Sequence, residues 1–369
     1  MHRLLHAVSK ELKQCRFARR GALLPVAVLM AACATPTPVP VVPGATRQEP
    51  ITPPPVTAAA PEPQGLRTLV AYQDRLYRVA APLLVNGTTL CKGNARKLLG
   101  FTAKNKYSYP AEFVELAQRQ FGFDDRLRIT SVLPKSGAAK AGIRAGDILV
   151  AVEDKPMPQG ENAERQVARI LSPLVTPRAA ALRMTVNRNG ANIATSVPLT
   201  VACAFAIELG NAENVNAYGD GRRVLITRGM MNFAKTDDEL AYVLAKELAH
   251  SALGHASRQK MNATMGGIID NLIRLNPDMS MMGGTAGVRP LPQELDAAAD
   301  NLALYFLARA DYDPAGAPAF WQRLATAYPA SVANGYTAIH PSTAYRLINL
   351  DKNLALLKTK QDTNATLMP

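Results

Sequence analysis

The run Lys246-Glu247-Leu248-Ala249-His250 is where residue types and spacing come closest to chemistry. Two imidazoles four residues apart on one helix face can reach a single zinc ion, with a Glu beside them to take a proton from metal-bound water. Here Glu247 holds the base position and His250 the second imidazole, but the first imidazole position is Lys246. An ammonium has no lone pair until it loses a proton, and the reference lysine pKa is about 10.4. The pattern is that of a hydrolytic metal centre with one ligand replaced by a cation.

The element that must carry these residues is a long helix. Thr236-Asp-Asp-Glu239 is a capping box, and the helix it opens is expected to run to about Met261. His255 lies five residues past His250, off the same face, which suits a packing or capping histidine.

Further segments follow the same pattern. Asn214 to Tyr218, Gly221 to Met230 and Asp238 to Ala245 lead into the helix; Asp296-Ala-Ala-Ala-Asp300 and Leu307 to Pro314 come after it, then His340-Pro341 with Arg346. Together these resemble the CAAX-prenyl-endopeptidase and HtpX-like zinc metallopeptidases over about 150 residues. The resemblance implies zinc as cofactor and peptide-bond hydrolysis as the ancestral reaction. It makes Glu247 the general base, His250 and Asp296 metal ligands, and Asp300 a supporting residue behind them. His340 corresponds to a histidine near the metal, a gate or a substitute ligand. The family has Glu where Asp296 stands, so the carboxylate is one methylene short. Lys246 is the graver departure. Its cation is expected where zinc would sit, paired with Asp296 and with Glu247 as a further acceptor, which leaves two readings: a pseudopeptidase or peptide-binding scaffold, or an enzyme using a substitute ligand. The segment Met279 to Gly287 reads as a connector between the two ligand helices.

Upstream, helix-like spacing of apolar residues from Leu66 to Leu84 gives a packing helix, and Phe121 to Thr200 reads as short strands. These are Leu127 to Val132, Ile148 to Glu153, Ala181 to Asn187 and Ala194 to Leu199, with a helix from about Glu161 to Leu171 and a hairpin at Asn189-Gly190. The run from Ile129 to Leu149, with Ala145-Gly146-Asp147 at its turn, resembles bacterial PDZ domains. By that resemblance Phe121, Gly122 and Phe123 form the loop that grips a peptide's terminal carboxylate, so the expected partner is an extended peptide or unfolded envelope protein.

The ends bound the location. Residues 1–32 hold six Lys/Arg and one acid, then the apolar run Ala22 to Ala32, too short to span a bilayer. It stops at Met30-Ala-Ala-Cys33, similar to the bacterial lipoprotein box, making Cys33 the lipidated first mature residue and a lipid anchor the membrane contact. Ala34 is not the Asp associated with inner-membrane retention in enteric bacteria, which points to the outer membrane, facing the periplasm. Residues 34–65 contain ten of the 27 prolines and cannot bury a core; they form a tether. Beyond the leader the chain carries 36 bases and 28 acids, scattered and not interleaved with aromatics, which argues against nucleic acid as a partner. Two cysteines then remain, Cys91 and Cys203, able to pair in an oxidising compartment or to stay as buried thiols.

With 48% apolar residues over 369, the chain can fill more than one core. The expected organisation is a leader (1–32), a tether (33–65), the first part of a peptidase-like domain (66–120), a β-rich PDZ-like domain (121–200) and the rest of the peptidase-like domain (201–369). The fold class is α+β, with a small antiparallel sheet near 200–230 packed on the signature helices.

Overall fold

The computed structural model describes residues 63–91, 93–255, 273–274, 290–330 and 336–369. The leader, Cys33, almost all of the tether and the connector Met279 to Gly287 lie outside these residues.

The first helix, α1 (Pro63–Asn86), is longer than its apolar spacing predicts. It takes in Pro63 at its first turn, where a missing N–H costs nothing. Its buried face, including Leu76, Val79 and Leu83, packs on the signature helices. Then come β1 (Ala95–Leu98), β2 (Phe101–Lys104), α2 (Val114–Phe121), β3 (Arg128–Val132), α3 (Gly137–Lys140), β4 (Ile148–Val152), β5 (Lys155–Pro156), α4 (Ala163–Leu171), β6 (Ala181–Arg188) and β7 (Ala191–Pro198). Strands β2-β3-β4-β6-β7 form an antiparallel sheet in that order, with β5 on β4. The sheet recruits Phe101–Lys104 from upstream of Phe121 and closes over its own core of Phe101, Ile129, Val167, Leu171 and Met184. The hairpin joins β6 to β7, with Asn189 and Gly190 both at positive φ as a two-residue turn requires.

Strand β8 (Thr200–Cys203) pairs antiparallel with β1, Ala95 opposite Cys203, and Cys91 is disulfide-bonded to Cys203. Both ends of the PDZ-like unit are thus fastened at one place, and the unit is an insertion in the surrounding domain.

The second sheet contains β9 (Ala206–Gly210), β10 (Ala217–Gly219), β11 (Arg223–Thr227) and the two-residue β12 (Ile273–Arg274). It is not purely antiparallel as expected: β10 pairs antiparallel with β11, but β9 runs parallel to both β11 and β12. The α+β class stands. The remaining helices are α5 (Arg228–Phe233), α6 (Asp237–Leu253), α7 (Gln293–Arg309), α8 (Ala317–Ala327), the short α9 (Tyr336–Ile339) and α10 (Ala344–Asp362).

The Thr236 hydroxyl caps α6 by accepting from the Glu239 amide, but Glu239 reaches back to the amide of Lys235 rather than that of Thr236. Its carboxylate also holds Arg323 of α8 at 2.7 and 2.8 Å. The helix stops at Leu253, short of Met261, because Gly254 turns left-handed (φ 75°). Leu240 to Ser251 are all buried, as are most of Asp296 to Leu307 on α7, so neither helix has a solvent face at its centre. The site lies between them.

Candidate functional site

Lys246, Glu247 and His250 project from α6, and Asp296 and Asp300, one turn apart, from α7; all five are buried. The turn after α9 supplies His340 and α10 supplies Arg346, both buried. Asp296 is the hub. Its Oδ1 lies 3.0 Å from Nε2 of His250, 2.7 Å from Nδ1 of His340 and 3.4 Å from Nζ of Lys246. One atom from each of His250, Asp296 and His340 falls within 4.8 Å of the others, a set that could hold a metal ion.

Lys246 is closer still to Asp300, at 2.9 Å from Oδ1. Asp300 is therefore the nearest carboxylate to the lysine rather than a residue standing behind Asp296. Arg346 grips the same carboxylate with two bonds, Nε to Oδ2 at 2.8 Å and Nη2 to Oδ1 at 3.1 Å. Its Nη1 donates to the carbonyls of His340 (3.1 Å) and Pro341 (2.8 Å), which fixes the turn presenting His340. Two cations and two carboxylates are thus packed together without water-exposed surface. The Lys246 ammonium also sits 5.2 Å from the ring centroid of Trp321 on α8.

Glu247 is not among the Lys246 partners, contrary to expectation, because consecutive helix residues point about 100° apart. Its Oε1 accepts from Tyr336 Oη at 2.9 Å and lies 3.5 Å from Nε2 of His340. Gly219 on β10 leaves room for this carboxylate: a Cβ there would stand 3.1 Å from Oε2. Burial pushes the Glu247 pKa up to about 7, against the Tyr336 bond and the Lys246 charge. Burial also drives His340 down to about 3, despite its bond to Asp296, and lowers His250. Burial opposes ionisation of Asp296 and Asp300 as well, yet the Lys246 charge and their other partners outweigh it and hold both below the usual carboxylate range.

Neither Tyr336 nor Trp321 stands in a sequence motif. Their rings stack at 5.6 Å and 10°, forming one wall of the site. His255 closes the end of α6, its amide donating to the His250 carbonyl at 2.9 Å, with its ring 5.4 Å from that of His250.

Phe121–Phe123 does not form a gripping loop. The Gly122 amide is used to end α2, bonding Gln118 O at 3.0 Å, and Phe123 is buried against Tyr109 in a small apolar cluster. The terminal strands of the sheet are β2, some twenty residues upstream, and β7.

A buried helix bearing Glu and His, packed directly on a carboxylate helix with a small sheet beside it, defines a metallopeptidase-like domain, and the inserted antiparallel sheet a PDZ-like one. Residues 181–354 match peptidase family M48 and residues 128–181 match the PDZ domain, so the chain joins an M48 peptidase domain to a PDZ domain. Among curated relatives, the mitochondrial metalloendopeptidase OMA1 of Schizosaccharomyces pombe is 25% identical over 150 residues, covering 39% of this chain and 44% of that protein. The beta-barrel assembly-enhancing protease of Yersinia pestis is 26% identical over 188 residues, covering 47% of this chain and 38% of that protein. The chain therefore spans less than half the length of either relative. A solved HtrA3 PDZ domain bound to a phage-derived ligand aligns with 29% of this chain and 88% of its own, at 19% identity and a TM-score of 0.21. No helix among the described residues is long and apolar enough to cross a membrane.

Proposed function

We propose that this is a lipid-anchored protein of the bacterial envelope, facing the periplasm, that binds extended or unfolded polypeptide without hydrolysing it, the Lys246 ammonium standing in for the metal of its relatives. The observation that carries this reading is the position of Lys246 Nζ, fully buried at 3.4 Å from Asp296 and 2.9 Å from Asp300. A dication held by Asp296 would face that ammonium across a medium too poor in water to screen the repulsion. The two imidazoles already converge on the single oxygen Oδ1 of Asp296. On this reading the Lys246 cation opposes zinc at these residues.

The remaining components suit a binding role: a PDZ domain, a class that takes polypeptide ends, and Cys33 as anchor with residues 33–65 as tether. The relative named for beta-barrel assembly favours the envelope, and the lipoprotein box the outer membrane.

A second reading is supported by the triad His250, Asp296 and His340, which could bind zinc with His340 as substitute ligand and leave an active endopeptidase. Zinc stoichiometry of the detergent-solubilised full chain, alongside Lys246→His, separates the two. An empty wild type and a loaded variant support the scaffold. About one zinc per wild-type chain overturns it and favours the endopeptidase.

A further inference from the structure

We propose that the outer face of α10 lies on an anionic lipid bilayer, the one that holds the chain, so that the folded body rests against the membrane on a fixed side. This rests on the reading of Cys33 as a lipid anchor. Of the six large apolar side chains that stand most exposed among the described residues, three are on α10: Tyr345 (43%), Ile348 (67%) and Leu356 (49%). A fourth, Met368, follows the helix. The Lys360 ammonium, one turn after Leu356, bonds the Met368 carbonyl and so holds the chain end beside the same face. Tyr345, Ile348, Lys352 and Leu356 are spaced i, i+3, i+7, i+11, which keeps them in one stripe about 16 Å long. The opposite side of α10 buries Arg346, Leu350 and Leu357 toward the body. A surface helix needs apolar residues on one side only; α10 has them on two.

The chemistry of the stripe selects the partner. It contains one cation, Lys352, exposed in its middle, and no acid; Asp351 and Asp362 lie about a quarter turn to one side. A lysine flanked by apolar side chains lays its stem among them and sends its ammonium to a phosphate, while a tyrosine ring, apolar with a polar tip, suits the headgroup boundary. The excess of bases over acids beyond the leader acts in the same direction. A second copy of the chain fits less well: a stripe about 16 Å long on a rod about 10 Å across is a fraction of the roughly 800 Å² per partner that a specific dimer buries. A bilayer sets no such threshold, because each inserted side chain adds its own contribution. With Cys33 in the same membrane, docking is intramolecular, at an effective concentration on the order of millimolar, so a weak surface suffices. Arg346 adjoins Tyr345 and fixes the turn that presents His340, so a body resting on α10 keeps that turn on the membrane side.

The test uses the processed full-length chain, in which Cys91 and Cys203 are paired and Cys33 is acylated, so that one added cysteine takes a dye alone. Ile348→Cys, and separately Leu356→Cys, is labelled with nitrobenzoxadiazole and reconstituted in vesicles of phosphatidylethanolamine and phosphatidylglycerol, with or without a doxyl-labelled lipid. Ile193→Cys, on β7 of the PDZ-like unit, is the reference, and each variant is checked for an unchanged melting curve. Lipid-borne doxyl is expected to quench the dye at 348 and 356 by about half or more, and at 193 by less than about a tenth. Adding Lys352→Glu is expected to cut the quenching at 348 threefold or more; unchanged quenching overturns the assignment to anionic lipid. Equal quenching at all three positions, or none at 348 and 356 in protein that floats with the vesicles, overturns the docking proposal and leaves the anchor reading standing. Disulfide dimers through Ile348→Cys without quenching give the face to a second copy and also overturn it. Protein that fails to float, with no acyl mass on Cys33, sinks the anchor reading and the proposal together.

Discussion

Lys246 Nζ lies 2.9 Å from Oδ1 of Asp300, and Arg346 holds both oxygens of the same carboxylate. Lysine on α6 and arginine on α10 therefore share one anion on α7, with Asp296 one turn away as the second. The charges balance only as a group, which determines what removing any one of them does.

Lys246→Met is expected to destabilise the fold by roughly 3–5 kcal/mol, since it strands buried carboxylates, a cost typical of breaking one side of a buried ion pair. Asp300→Asn combined with Lys246→Met is expected to recover part of that loss. Urea unfolding midpoints of the two single variants and the double variant measure the coupling; strict additivity would show that the pair does not interact.

Arg346→Lys keeps the charge but loses the paired grip on Asp300 and the bonds to the His340 and Pro341 carbonyls. A loss of roughly 2 kcal/mol is expected, in the range of hydrogen bonds to charged groups. Faster amide exchange at His340 is the local sign to look for.

Glu247 carries a pKa raised by burial from 4.5 to about 7. A carboxyl raised in the folded state contributes stability that is fully present below pH 4.5 and is lost as pH rises through 7. The amount is on the order of 3 kcal/mol, at about 1.4 kcal/mol per pH unit. Glu247→Gln is expected to flatten the fall in stability between pH 5 and 8, read from urea midpoints across that range. An unchanged slope would place the titration elsewhere.

If the ammonium replaces the metal, chelators have nothing to remove. The melting temperature of the wild type is expected to be the same with and without excess EDTA, whereas Lys246→His loaded with zinc is expected to lose several degrees. A chelator-sensitive wild type would support the substitute-ligand reading instead.

The local features of the fold were legible in the chain. The hairpin at Asn189-Gly190, helix α4 and the Thr236 cap are written in neighbouring residues; spacing put Glu247 and His250 on one helix, whereas only the family resemblance put Asp296 and Asp300 on another. What was not legible is nonlocal. Strand β1 is four residues, Ala-Arg-Lys-Leu, whose partner lies more than 100 positions away, opposite Cys203. Strand β2 likewise joins the sheet from upstream of where the pattern begins, so nothing in the run from Phe121 marks that edge. The parallel pairing of β9 with β11 leaves no mark in two short apolar runs. Trp321 and Tyr336 reach the site from helices with no motif, and only packing shows that they wall it. The predicted α6 overran because Gly254 sits within a stretch otherwise compatible with helix.

The bond between Cys91 and Cys203 spans 112 positions and encloses the whole PDZ-like unit in a covalent ring. A backbone cut at any loop of that unit, such as the exposed Asn189-Gly190 tip, opens the ring without releasing a fragment. The nicked molecule migrates as a single species until the sulfurs are reduced, so damage to the inserted unit leaves it attached to the body that carries it.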